Sequence, residues 1–369
     1  MQQDLYGTRL YVNFSHLKYN IAYIKKLAKN LKIIAMIKAN AYGHGDIAIA
    51  RTLQALDIDY FGVADFEEGI RLRNHNITLP IMVMNPGINN ISAIIENNLE
   101  PVIYSNSIFS TLIEYMKNSQ KDIRNNVRVH IKINTGMNRW GFNLSDVPIV
   151  INKLASQKNI TIGSVYTHLA SAENEHDDTF TKNQINELIK AQEVFQKELN
   201  HPVKTHISNT SAFLRNFESN RLNYMRIGLL IYGGIEHKLL KPIAELKCPI
   251  SQIREIEKGD SVGYGRNFIA ESKLKIGVLP FGYADGLQRA WGNGVLKFYF
   301  QNQLIPTVGN ISMDSCVVDL SGVDNISVGD DVIYFGEKRP IWDLANELDT
   351  IPYEITSTLS RRIKRVYVH

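Results

Sequence analysis

The chain has 369 residues, 44% hydrophobic and 21% charged, so it holds enough apolar matter for a large core and does not have the composition of a disordered polymer. Lysine and arginine total 41 against 37 acids, a net charge of +4 with no dense basic run, which argues against a nucleic-acid partner. A length prior of roughly 150 residues per domain points to about two domains.

The opening residues, MQQDLYGTRL, have no apolar core, and no apolar run of about 18 residues occurs. A soluble cytoplasmic protein with no membrane segment is the expectation. RLYVNF then reads as a strand. SHLKYNIAYIKKLAKN follows as an amphipathic helix, with Leu17, Ile21, Ile24 and Leu27 at helical spacing behind Ser15 as N-cap. Next come IIAMIK, DYFGVA, PIMVM, EPVIY, VRVHIKI, TIGSVYTHL, PVKTHI and NYMRIG, eight strand candidates, mostly separated by helical patterns such as SIFSTLIEYMK and TFTKNQINELIKAQEVFQKEL. Eight repeated strand-helix units before about residue 235 predict a closed (β/α)8 barrel of the TIM type rather than an open sheet. Beyond residue 240 helical patterns nearly vanish and turns recur at EKGD, WGNG, FQNQ and SVGD. Residues 1–240 are thus expected to form the barrel and 241–369 a mostly β C-terminal domain, which the strand near residues 8–13 joins. Cys248 and Cys316 stand far apart, each in an apolar strand-like segment, and read as reduced buried thiols.

Polar residues at the carboxyl ends of barrel strands point into the mouth where such folds place their chemistry. Lys38 closes the first strand, Arg139 follows the fifth, His168 closes the sixth, Asn209 and Thr210 follow the seventh, and Arg226 closes the eighth. Singly, each has an ordinary reading: a solvated lysine, a core histidine, an arginine paired with an acid. Their convergence on one barrel face favours a reactive site. A lysine amine near pKa ~10.4 is too protonated to be a nucleophile at neutral pH, but desolvation at such a mouth favours the neutral form.

AMIKANAYGHG, residues 35–45, resembles the cofactor-lysine motif of the alanine racemases, enzymes of fold-type III. IKINTGMNRWGF, YTHLASAE, HISNTSAF, MRIGLLIYGG, VGYGRNF, GYADG, VGNISMDS and IPYEI resemble further family segments in family order, over nearly the whole chain. The resemblance implies interconversion of L- and D-alanine, supplying D-alanine for peptidoglycan, with pyridoxal 5′-phosphate as cofactor and no metal. It implies that Lys38 bonds the cofactor and serves as one base, and that Tyr264 is the second base, reaching the active site of a partner subunit in a homodimer. His168 and Arg226 would tune that pair, with Arg226 on the pyridine nitrogen. Tyr42, Asn209, Thr210, Gly228, Leu229 and Tyr353 would hold the cofactor. Arg139 and the Met313 amide would take the substrate carboxylate, with Lys132, a carbamylation candidate, positioning Arg139. Tyr283 and Asp314, again with Tyr353, would line the entrance. Two departures stand out: Thr210 replaces a commoner serine, and TGMNRWGF sets Asn138 and Trp140 where TGMGRLGF is commoner. Alternatives are a racemase of serine or basic amino acids, a non-catalytic carrier of the same cofactor, which would lack the Tyr264 domain, and a fold-type III decarboxylase, whose cysteine-bearing substrate motif is not found.

Overall fold

In the computed structural model the structure describes residues 7–118, 126–215, 217 and 222–369. The expectation about the amino terminus therefore falls partly, in its first six residues, outside the described residues. Two units are compact by their own contacts: Ile24–Ala41 with Asp46–Gly228, and Met1–Tyr23 with Tyr42–Gly45 and Leu229–His369.

The first unit is a closed parallel barrel. Its strands are β2 (Lys32–Met36), β3 (Tyr60–Val63), β4 (Ile81–Val83), β5 (Glu100–Ile103), β6 (Val127–Lys132), β7 (Ile160–Tyr166), β8 (Thr205–His206) and β9 (Tyr224–Ile227), β1 being Arg9–Asn13 of the other unit. Each strand pairs in parallel with the next, and β2 closes the ring against β9, Ile34 opposite Arg226. The strands are short β-branched runs, almost wholly buried, because the inner face fills the barrel and the outer face packs under helices. Val129, Ile131, Val165, Leu188 and Phe195 belong to one continuous apolar core between strands and helices. At roughly 25 cal/mol per Å2 of apolar surface removed from water, such side chains contribute about 1.5–3 kcal/mol each. One irregularity matters for the site. Between β6 and β7 the register shifts after Val129, so that His130 faces Ser164 instead of Gly163.

The second unit carries a nine-stranded sheet. Beside β1 its strands are β10 (Ala244–Pro249), β11 (Gln252–Ile256), β14 (Leu274–Leu279), β15 (Lys297–Phe300), β16 (Gln303–Val308), β17 (Cys316–Asp319), β18 (Asp331–Phe335) and β19 (Lys364–Val368), while β12 (Ser261–Val262) and β13 (Phe268–Ile269) make a separate pair. β1 lies between β10, antiparallel, and β19, parallel. The turns follow their sequences: Asp260 and Asp330 accept from the Glu257 and Ser327 amides, and Gln301 and Asn302 take positive φ between β15 and β16. Cys248 and Cys316 are buried and unbonded. The first helix begins at Phe14, two residues earlier than a Ser15 cap implies. Asn13 rather than Ser15 caps it, its Oδ1 accepting from the His16 amide at 3.0 Å.

Candidate active site

Lys38 stands two residues past the end of β2, where the backbone does something unusual. Ala39, Asn40, Ala41 and Tyr42 all have positive φ, between 51° and 56°, a left-handed turn built without glycine. Each such residue costs roughly 1–2 kcal/mol relative to the right-handed form. Local contacts hold the turn in place. Glu68 Oε1 accepts from the Ala39 amide at 2.6 Å and its Oε2 from the Ala64 amide at 2.7 Å, while Asn40 Oδ1 accepts from the Asp46 amide at 3.1 Å. The strain fixes where the lysine side chain leaves the chain.

Around Lys38 the barrel gathers cations. Lys38 is reached by solvent yet ringed by protein, and this crowding lowers its amine, with Arg139 and Arg226 adding to the effect and Glu68 opposing it. Lys132, at the end of β6, is buried and is pulled down to about 8 by desolvation first and then by Arg139, Arg226 and Lys38. Its Nζ lies 5.2 Å from the Trp140 ring centroid and 5.9 Å from that of Tyr166, and the Arg139 guanidinium lies 5.0 Å from the same Trp140 ring. Both cations therefore contact Trp140.

Arg226 is buried inside β9 and burial brings it down to about 10, which leaves it a cation at neutral pH. Its donors are well used: Thr167 O at 2.9 Å, Ile207 O at 3.1 Å, His168 Nδ1 at 3.0 Å and His206 Nδ1. A guanidinium only donates, so both imidazoles present lone pairs to it. Burial and then Arg226 push both well below the ordinary histidine range, so both are neutral. Tyr166 lies under this group, stacked on His206 at 4.5 Å with Arg226 5.1 Å above its ring. Burial drives its phenol upward.

Asn209 caps the short helix Thr210–Leu214, its Oδ1 accepting from the Ala212 amide at 2.9 Å, and Gly228 follows β9. Ser208 beside it is fully buried, and its Oγ has no hydrogen-bond partner. Its carbonyl accepts from the Arg226 amide at 2.9 Å, so among the described residues an unmatched buried hydroxyl adjoins the Arg226 strand.

In the β unit a second group of expected residues converges. The Tyr283 and Ala284 amides donate to Ser312 O and Met313 O at 3.0 and 2.9 Å, and Arg362 ties Asp285 to Asp314 at 2.6 and 2.7 Å. Asn310 Nδ2 donates to Tyr264 O at 2.9 Å. Tyr264 is 75% exposed and Met313 53%. Tyr42 packs against Tyr232 and Tyr353, with ring centroids 5.3 and 5.9 Å away, and Leu229 O accepts from Tyr232 and Gly234 amides.

Lys38, Lys132, Arg139, His168 and Arg226 are thus brought together in the barrel unit, while Tyr42, Leu229 and Tyr353, and Tyr264, Tyr283, Met313 and Asp314, belong to the β unit. Sequence reasoning missed Glu68, Tyr166, His206 and Ser208. The last three were detectable, because alternate strand residues share a face: Tyr166 with His168, and Ser208 with His206.

A parallel barrel with a lysine of lowered amine among cations, followed by a β unit with exposed aromatics, is the arrangement of a barrel enzyme with its chemistry at the strand ends. The comparisons with known proteins narrow this. Residues 12–236 match the family described as alanine racemase, N-terminal domain, and residues 243–367 that described as alanine racemase, C-terminal domain. Alanine racemase 1 of Caldanaerobacter subterraneus subsp. tengcongensis is 32% identical over 98% of this chain and 95% of its own. The structure of alanine racemase from Clostridium difficile 630 superposes with a TM-score of 0.90 at 31% identity, covering 99% of this chain and 97% of that one. That of alanine racemase from Bacillus anthracis with bound L-Ala-P gives 0.89 at 25% identity, covering 100% and 96%. The chain belongs to the alanine racemase family.

Proposed function

We propose that the chain interconverts L- and D-alanine with pyridoxal 5′-phosphate as cofactor, in a homodimer whose sites each draw on both subunits. The carrying observation is the lowered amine of Lys38 beside Arg139 and the buried cation Arg226. The donor set fits the cofactor: an amine to bond its aldehyde, cations for its charge, and the unmatched Ser208 hydroxyl as a polar contact. When bound, the cofactor supplies an electron-withdrawing ring that acidifies the α-hydrogen of an attached amino acid.

Lys38, lowered toward neutrality, can take or return that hydrogen on one face of the α-carbon. Tyr264, exposed on the β unit, is the base for the opposite face and would act in the partner's site. Arg226 would hold the cofactor's ring nitrogen as a hydrogen-bond donor without surrendering a proton to it, because guanidinium stays charged. That would limit how much negative charge the ring withdraws and favour return of the proton to carbon. His168, held neutral with its Nδ1 lone pair toward Arg226, carries its hydrogen on Nε2 and would donate from there to the Tyr264 oxygen, orienting it. Arg139 and the Met313 amide hold the substrate carboxylate, and Lys132 positions Arg139. With its amine near 8, Lys132 has a sizeable neutral fraction that can add carbon dioxide, releasing a proton and leaving a carbamate anion beside Arg139. Tyr42, Asn209, Thr210, Gly228, Leu229 and Tyr353 complete the cofactor site, and Tyr283 and Asp314 its entrance. Among the described residues no helix is long and apolar enough to cross a membrane, and none forms a metal-binding cluster. A cytoplasmic supply of D-alanine for peptidoglycan fits this chemistry.

The test is polarimetry of L-alanine incubated with purified protein and added cofactor, run with Lys38→Ala and a panel containing serine, lysine and arginine. Conversion of alanine to the racemate, lost in Lys38→Ala, is expected. Faster turnover of serine or a basic amino acid would replace the substrate, and undiminished activity in Lys38→Ala would overturn the assignment of the amine. Mixing Lys38→Ala with Tyr264→Phe subunits should restore at most about half of wild-type activity per dimer if sites are shared.

A further inference from the structure

We infer that Ser164, His130 and Glu100 are positioning residues for Arg226, acting through His206 along one hydrogen-bonded chain that crosses five neighbouring barrel strands. Arg226 on β9 contacts His206 Nδ1 on β8; His206 Nε2 lies 2.9 Å from Ser164 Oγ on β7; Ser164 Oγ lies 2.7 Å from His130 Nδ1 on β6; and His130 Nε2 lies 2.9 Å from Glu100 Oε2 on β5. Each strand contributes one residue.

The direction of every link follows from the first. Arg226 can only donate, so His206 accepts at Nδ1 and, being neutral, carries its hydrogen on Nε2. That hydrogen goes to Ser164 Oγ, whose own hydrogen has His130 Nδ1 as its acceptor. His130 then donates from Nε2 to the Glu100 carboxylate, where the Tyr60 hydroxyl also donates. All dipoles run the same way, from a buried cation to a carboxylate, and aligned bonds polarise one another in a low-dielectric interior. Glu100 opens β5 at the amino end of the barrel, so it is a remote counter-charge for a cation near the mouth.

The fold is arranged for this path. The register shift between β6 and β7 is what sets Ser164 opposite His130. Gly163, the residue passed over, leaves the room the imidazole uses: a Cβ there would lie 2.8 Å from His130 Cε1. His130, Ser164 and His206 are all buried, which makes each unmatched donor costly and each tautomer well determined.

The consequence for racemisation rests on the proposed function; the chain itself rests on barrel geometry alone, and the experiment separates them. In cofactor-free protein with 15N-labelled histidine rings, long-range 1H–15N NMR reports which nitrogen carries hydrogen. His206 and His130 are expected to carry it on Nε2. Ser164→Ala should leave hydrogen on Nε2 of both rings, which Arg226 and Glu100 fix, but shift the His206 Nε2 and His130 Nδ1 resonances that lose their partner, while Glu100→Gln, whose amide oxygen still accepts, should shift His130 alone. In the cofactor-loaded enzyme Ser164→Ala should lower kcat about tenfold, the worth of one buried hydrogen bond, with KM for alanine changed less than about twofold. A residue serving only packing would lower the melting temperature without that split. Hydrogen on Nδ1 of either ring in the wild type, or a Ser164→Ala protein with both rings and kcat unchanged, overturns the inference. If the wild type itself fails to racemise alanine, the functional reading falls and the ring spectra still judge the chain. Should Ser164→Ala not fold, Glu100→Gln, at a side chain 14% exposed, decides through the His130 signal.

Discussion

Lys132 offers a prediction whose sign is easy to get wrong. Its side chain is 5% exposed, and its amine stands at about 8 in the folded chain against an ordinary 10.5. At 1.36 kcal/mol per unit, keeping that ammonium in the barrel at pH 7 costs about 3 kcal/mol. The Trp140 and Tyr166 faces return part of this, on the order of 1–2 kcal/mol. Lys132→Met in the cofactor-free protein, in buffer purged of carbon dioxide, should therefore gain roughly 1–2 kcal/mol at pH 7 while losing activity.

The pH dependence follows from proton binding. Below about pH 8 both folded and unfolded wild type carry the proton, and the whole penalty is present. Between about 8 and 10.5 the unfolded chain holds a proton that the folded chain has shed, so wild-type stability rises with pH relative to the variant. The advantage of Lys132→Met should shrink across that window and disappear near its top. Urea midpoints and slopes for both proteins at pH 7 and pH 10 measure it. A variant less stable than wild type at pH 7, or an advantage that does not shrink by pH 10, would refute the reasoning. Added bicarbonate near pH 8 should stabilise the wild type and leave the variant unmoved if the neutral amine takes up carbon dioxide.

Glu68→Ala leaves the Ala39 and Ala64 amides without their acceptor, and should cost about 2–3 kcal/mol in urea unfolding while blunting the reactivity of Lys38 toward a carbonyl probe. Asn209→Ala removes the cap of Thr210–Leu214 and should cost about 1 kcal/mol, with a weaker affinity for the cofactor in a fluorescence titration. Gly163→Ala drives a methyl group to 2.8 Å from His130 Cε1 and should cost about 1–3 kcal/mol by thermal melt, whereas Gly259→Ala, with nothing near its Cβ, meets only the strain of its positive φ.

Much of the barrel could be read from the chain because its strands are buried on both faces and so appear as short apolar runs. Even β8, two residues long, stood out in PVKTHI. The cation cluster was legible for the same reason, since charged residues at the ends of such runs are conspicuous. What was not legible has no linear trace. Residues 42–45 and 229–240 group with the β unit by their contacts. Past Lys38 the residue types that favour a turn are Gly43 and Gly45. Both have positive φ and no room for a Cβ, but the left-handed run starts at Ala39, where nothing in the residue types announces it. Its anchor, Glu68, acts on backbone amides 29 and 4 residues away, and backbone partners leave no pattern in side chains.

The gathered cations carry a last argument. Arg139 and Arg226 lie close enough to lower the amines of both Lys38 and Lys132, an arrangement that works against the folded state when nothing anionic is bound. Anionic ligands would repay the repulsion, and the cofactor, substrate carboxylate and carbamate proposed above are all anions. A ligand that binds only the folded state stabilises it by about 2.7 kcal/mol at a hundred times its dissociation constant. The barrel unit should accordingly gain more from pyridoxal 5′-phosphate in wild type than in Arg226→Met or Lys38→Met, because each substitution both relieves the ligand-free repulsion and weakens the anion's attraction. Differential scanning calorimetry with and without cofactor reads this as a smaller rise in melting temperature for the variants. An equal rise in all three proteins would mean that the cations are not where the cofactor binds.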